Sequence, residues 1–148
     1  MEKIKFAALA ILGIFLSQSG SAQSVAEVKN KLQGTWKIHW EETQQVMNQI
    51  NRTEYQSIPS EQRANFEKNF IGRLWSFQAD DNFLLSWVED TTLQMQATWD
   101  VLNNGETIEL IVGDNTLRFT IHQIDTQRLV IAPENEPGLF DKYCLFKQ

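Results

Sequence analysis

Residues 93–112 read Leu93-Gln94-Met95-Gln96-Ala97-Thr98-Trp99-Asp100-Val101-Leu102-Asn103-Asn104-Gly105-Glu106-Thr107-Ile108-Glu109-Leu110-Ile111-Val112. Leu93, Met95, Ala97, Trp99 and Val101 alternate with Gln94, Gln96, Thr98 and Asp100, the two-residue period of a strand with one apolar face. Asn103-Asn104-Gly105 supplies residues that tolerate positive φ and therefore a hairpin. Ile108, Leu110 and Val112 resume the alternation on the return.

The same period extends in both directions. Toward the C-terminus, Gly113-Asp114-Asn115 turns into Leu117, Phe119 and Ile121, and Asp125-Thr126-Gln127 turns into Leu129 and Ile131. A longer loop from Pro133 to Gly138 leads to Leu139, Tyr143 and Leu145. Toward the N-terminus, Phe83, Leu85 and Trp87 lie between Asp80-Asp81-Asn82 and Glu89-Asp90, preceded by Trp75 and Phe77. One further run, Gly34 to Glu41, puts Trp36, Ile38 and Trp40 on one face and Lys37, His39 and Glu41 on the other. Eight strands follow, and short connections force neighbours to be antiparallel. A sheet apolar on one side hides that side by closing on itself, which also removes its edges. The expected fold is therefore mainly β, an eight-stranded antiparallel up-and-down barrel. The rival is a two-sheet sandwich, which usually needs longer crossovers.

Two segments are not strands. Ser24 and Glu27 form a capping box ahead of Val25, Val28 and Leu32, so 24–32 reads as a short amphipathic helix stopped by Gly34. Residues 42–72 are polar and rich in Gln and Asn, and read as a helical insert between strands 1 and 2. Val46, Met47 and Ile50 suit one helix. Ile58-Pro59 breaks it, and Ser60 is placed to cap a second whose stripe is Phe66, Phe70 and Ile71. The insert's ends join the ends of successive strands, so its expected seat is the open end of the barrel.

Residues 1–22 read as processing information. Lys3 and Lys5 precede the apolar run Phe6–Leu16, and Ser19, Gly20, Ser21 and Ala22 follow, the pattern of a Sec signal peptide cleaved after Ala22. Eleven residues at ~1.5 Å each span about 16 Å, too short for a ~30 Å hydrocarbon core. The expected product is a single secreted or periplasmic domain, 23–148. Cleavage takes the 13 basic and 19 acidic residues of the chain to 11 and 18, a net charge of −7. That balance argues against nucleic acid, whose phosphates need a surplus of Lys and Arg, and against an anionic membrane surface. One cysteine, Cys144, excludes an intrachain disulfide framework. It alternates away from Tyr143 and Leu145 and reads as a free thiol packed under the helices.

Leu32-Gln33-Gly34-Thr35-Trp36, a Gly-x-Trp on the first strand after a short helix, resembles the lipocalin signature. Phe77-Gln78-Ala79-Asp80-Asp81-Asn82-Phe83 and then Ala97-Thr98-Trp99 resemble the lipocalin-like domains of small secreted bacterial proteins. The insert is similar in position to the helical lid of fatty-acid-binding proteins. The resemblance implies a calycin-type barrel in which Gly34 and Trp36 are structural. The family usually stacks an arginine of the last strand over the motif tryptophan; here that strand offers Lys142 and Lys147, which implies a floor closed differently.

Catalytic chemistry has little to stand on. His39 and His122 lie on polar strand faces, without the spacing of a metal pair, and no nucleophile elbow or phosphate loop is present. No enzyme, metal or cofactor is expected. The informative set is aromatic. Trp40, Trp75, Phe77, Trp87, Trp99 and Phe119, with Phe66 and Phe70 from the insert, either line a pocket for a small apolar ligand or simply fill the barrel. Two functions therefore stay open. One is a binding protein, a monomer holding an apolar ligand under the insert; the other is a protein-interaction module, an inhibitor or accessory factor with a filled barrel. The secretion reading has a direct check: protein recovered from the periplasm or medium should begin at Gln23 by N-terminal sequencing, and an intact Met1 there would refute it.

Overall fold

The computed structural model describes residues 23–87, 93–135 and 138–148. Residues 1–22, read above as a signal peptide, and Glu89-Asp90, read as a turn, lie outside these residues. Among them the order is α1 (Val25–Leu32), β1 (Gly34–Ile38), α2 (Trp40–Gln45), α3 (Gln49–Ser57), α4 (Ser60–Ile71), β2 (Arg73–Phe77) and β3 (Asn82–Trp87), then β4 (Gln94–Leu102), a 3-10 turn (Asn103–Gly105), β5 (Thr107–Val112), β6 (Asn115–Ile124), β7 (Arg128–Pro133) and β8 (Tyr143–Lys147). Each strand is antiparallel to its sequence neighbours, and β1 also pairs with β8, so the eight close into a barrel with simple up-and-down order. The barrel expected from the alternation is the one found.

The hairpin signal at 103–105 works by backbone conformation. Asn103, Asn104 and Gly105 all take positive φ (52°, 56° and 97°), and the Glu106 N–H closes the turn on the Leu102 and Asn103 carbonyls. A side chain at Gly105 would lie 2.8 Å from the Gln23 carbonyl oxygen, so this turn also seats the chain leading into α1. The helix itself has the expected cap, with Ser24 Oγ accepting from the Glu27 N–H at 3.2 Å.

The floor of the barrel is built on Gly34, Trp36 and Lys147. Trp36 is 0% exposed and donates its indole N–H to the Leu32 carbonyl at 2.7 Å, fixing α1 across the barrel end. Lys147 occupies the place the resemblance assigns to arginine. Its ammonium lies 5.1 Å from the Trp36 ring centroid, a cation–π distance, and donates to the Lys31 carbonyl at 2.9 Å. Gly34 makes room for it: at φ +124° a side chain is strained, and its Cβ would stand 2.7 Å from Lys147 Cε.

Three details differ from the sequence reading. β1 ends at Ile38, and Trp40 opens α2 instead of continuing the strand. His39 takes the N-cap position there, its Nδ1 accepting from the Glu42 N–H at 3.4 Å, and Glu41 and Glu42 complement the positive end of the helix. The insert holds three helices, not two. Asn48 caps α3 through an acceptor bond from the Asn51 N–H at 2.9 Å, which places Val46 and Met47 before that helix. The resulting phase leaves Ile50 79% exposed and buries Met47 and Tyr55 instead. Finally, Pro59 holds the N-cap position of α4, with no side-chain cap, and Ser60 is its first helical residue.

No helix among the described residues is long and apolar enough to cross a membrane. Because Trp36 joins α1, the barrel floor and Lys147, Trp36→Ala should lower stability by ~3–5 kcal/mol in a domain of ~5–15. Urea unfolding followed by circular dichroism measures it, and an unchanged midpoint would show that the floor does not depend on this ring.

Candidate functional site

The barrel has two unlike ends. Toward the floor the interior is solid: Phe77 meets Phe83 at 5.0 Å and Trp99 at 5.2 Å between ring centroids, over buried Val101, Ile108, Leu129 and Leu145. Trp99 Nε1 donates to the Gln78 carbonyl at 3.0 Å. From α1, Lys29 reaches over the Trp99 ring and pairs with Asp81 at 3.2 Å and Asp100 at 2.8 Å. The hydrogen bond to Asp100 holds the Lys29 ammonium above its usual pKa and the Asp100 carboxyl below its own.

At the other end lie the starts of β2, β4, β6 and β8, the ends of β1, β3, β5 and β7, and the insert. Phe140, in the connection before β8, is the hub of the insert's packing. Trp40, Phe66 and Phe70 lie around it at 5.4, 5.7 and 4.9 Å, and Tyr55 at 6.2 Å. Beside it, Asp141 accepts from the Asn48 N–H at 2.7 Å, Asn48 Nδ2 at 2.5 Å and Asn51 Nδ2 at 2.8 Å. Phe70 then meets Tyr143 at 5.5 Å, and Tyr143 faces Trp75 and Phe119 at 6.2 and 6.3 Å. The rings run without a break from the insert into the upper barrel.

Beside this run is a cavity of about 630 Å³ that opens to solvent, with mostly apolar walls of Met95, Val112, Leu117, Phe119, Pro133 and Tyr143, edged by Asn115, Thr116, Arg118 and Asn135. Leu117, on the inner phase of β6, is 38% exposed there, and Leu93 at the start of β4 is 53% exposed. Arg73 opens β2 at the same end, its guanidinium 5.8 Å from the Phe70 ring and 5.5 Å from the Trp87 ring. Burial lowers its pKa, which the Tyr143 phenol partly restores; burial likewise raises the Tyr143 hydroxyl, with Arg73 opposing.

The eight aromatic candidates thus divide by depth. Phe119 lines the cavity, Trp75 stands behind it, and Trp87 is at the rim beneath Arg73. Trp40, Phe66 and Phe70 belong to the hub around Phe140, while Phe77 and Trp99 fill the floor. Sequence reasoning missed Met95, Val112, Leu117 and Tyr143 as wall residues. All four carry the apolar phase of their strands, and the signal that separates them is their place at the strand end nearest the mouth.

Two reactive side-chain types lie elsewhere. His122 is exposed at a bulge in the β6–β7 ladder, with its pKa lowered by burial and by Lys142. Among the described residues no three His, Cys, Asp or Glu side chains converge as metal ligands. Cys144 is free and fully buried beneath α2, where the Thr43 hydroxyl accepts from its N–H at 3.1 Å.

No family model matches the sequence, and no curated protein matches it. Among solved structures, a DUF4847 family protein from Bacteroides vulgatus aligns with 78% of this chain and 92% of its own at 16% identity and a TM-score of 0.46.

Burial holds the Cys144 thiol above its ordinary pKa, so at pH 8 it remains protonated and out of reach. A maleimide reagent should label the protein readily in urea and leave the native form unlabelled over the same time. Equal rates by mass spectrometry would mean that α2 opens freely.

Proposed function

We propose that this chain is a secreted, lipocalin-like binding protein that holds a small apolar molecule in the mouth of its barrel, beside the helical insert. The observation that carries the reading is the contrast between the two ends. Large aromatic side chains occupy the floor, whereas the mouth keeps about 630 Å³ between apolar walls, within the roughly 300–1,000 Å³ range of small-molecule sites. Exposed apolar side chains at that rim cost free energy in the empty protein, and a bound apolar molecule would recover part of it at ~25 cal/mol per Å² covered. The sequence supports secretion through residues 1–22 and the lipocalin-like assignment through Gly34-x-Trp36, with Lys147 in the arginine's place. The role assigned is binding, with no chemical step.

The test is titration with an apolar fluorescent probe, with native mass spectrometry of the purified protein to detect a ligand carried through purification. Probe fluorescence should saturate, and Leu117→Arg should weaken it strongly while changing stability by no more than about 0.5 kcal/mol, since that side chain is already part-exposed. A native protein that gives no saturable signal would end this reading. The exposed Leu93 and Leu117 at that rim would then be a surface for docking another protein.

A further inference from the structure

At the floor end, opposite the mouth, the chain enters α1 through Gln23. With cleavage after Ala22, this glutamine is the first residue of the mature chain. Its backbone is seated on the 103–105 turn, where a Cβ at Gly105 would lie 2.8 Å from the Gln23 carbonyl oxygen and 3.0 Å from Val28 Cγ2. Gln23 also forms one wall of a notch of about 360 Å³ that opens to solvent, shared with Asn104, Glu106, Ile121 and His122. Its side-chain Oε1 is enclosed and accepts no hydrogen bond. An enclosed acceptor without a donor costs free energy, so hydrogen bonding at this oxygen does not hold the open amide in place. Ser24 caps α1, and the first helical residue, Val25, is two positions on from Gln23. A free chain end would therefore set an ammonium near the positive end of the helix, where cations are disfavoured.

We propose that Gln23 is a modification site: after cleavage its α-amino group closes on its own side-chain amide, and the mature chain begins with a pyroglutamate seated in this notch. The proposal rests on the reading of residues 1–22 as a cleaved signal peptide and is independent of the ligand site. In the step the α-amine nitrogen bonds to Cδ, the Cδ–Nε2 bond breaks, and Nε2 leaves as ammonia, taking a proton from the amine. One amide replaces another, so no oxidant, reductant or co-reactant is consumed. An α-amino group titrates at about 7.7–8.0, so the unprotonated amine that attacks is present at neutral pH. Closure removes the ammonium near α1 and exchanges the two N–H donors of the open amide for the single one of the ring. The Gln23 carbonyl, which rests against Gly105, takes no part in the reaction, so the ring inherits the seat. Closure takes place while the chain end is still free, and the folded notch then covers the product.

The experiment is an intact-mass measurement of the protein secreted with its own leader, followed by digestion with pyroglutamyl aminopeptidase. The mass should be that of residues 23–148 less one ammonia, and fragmentation in the mass spectrometer reads the first residue in either form. Gln23→Asn, whose side chain is too short to close an unstrained ring, should keep its full mass. The aminopeptidase should release the ring from the tryptic fragment 23–29 about ten-fold or more faster than from the folded protein, where the notch covers it. A mass of 23–148 with an open glutamine overturns the modification. Equal release from fragment and folded protein overturns the seating. A chain that starts at another residue overturns the cleavage reading, and this inference with it.

Discussion

The seam between β1 and β8 is short. Three register pairs, Trp36 with Lys147, Lys37 with Phe146 and Ile38 with Leu145, close the barrel, whereas β5 and β6 share six. Without this seam two strands would present open edges and the apolar interior would face water. Its length is reinforced at both ends: the Gln148 N–H donates to the Thr35 carbonyl, and the His39 N–H to the Cys144 carbonyl at 2.7 Å. Side chains complete the closure. Lys147 lies over Trp36, and the missing Cβ at position 34 leaves room for its side chain there. A lysine at this place lacks the planar stack of a guanidinium yet keeps a cation over the ring, and its ammonium caps the Lys31 carbonyl at the end of α1.

From that closure follows the division of the interior. The floor is filled by heavy rings: Trp36 is fully buried, and Phe77 meets Phe83 at a tilted and Trp99 at an edge-to-face angle. An eight-stranded barrel is only just wide enough for such side chains, so one end is used up by packing. At the other end Met95, Val112 and Leu117 are thinner than the rings below them, and space remains. Size of side chain along the strand, more than polarity, separates structural interior from candidate site.

Much of this was legible in the residues. Period-two alternation gave the strands from Trp75 to Leu145, and Asn103-Asn104-Gly105 marked a turn whose backbone is left-handed at all three positions. The first strand was read three residues too long, because His39 and Trp40 continue its alternation while the capping geometry of His39 turns the chain into a helix. The insert was harder still. Its helices depend on partners distant in sequence, Phe140 and Asp141, and no local period announces that Asn48 will bond to a carboxylate 93 residues away. The candidate site had the same difficulty. Choosing aromatic residues picked out the packed floor and the hub as readily as the mouth.

The clip at Asp141 and Phe140 ties the insert to the connection that leads into β8, while α2 covers the outer face of that strand through Thr43 and Cys144. Local opening in proteins occurs in cooperative blocks whose members share contacts, not residue by residue. Here the insert and the closing seam are one such block: peeling α2 away uncovers Cys144, releases Thr43 from the backbone of β8 and removes the cover from a ladder of three pairs. The segment that looks most like an appendage in the sequence therefore belongs to the same unit of stability as the strand pairing that makes the barrel a barrel.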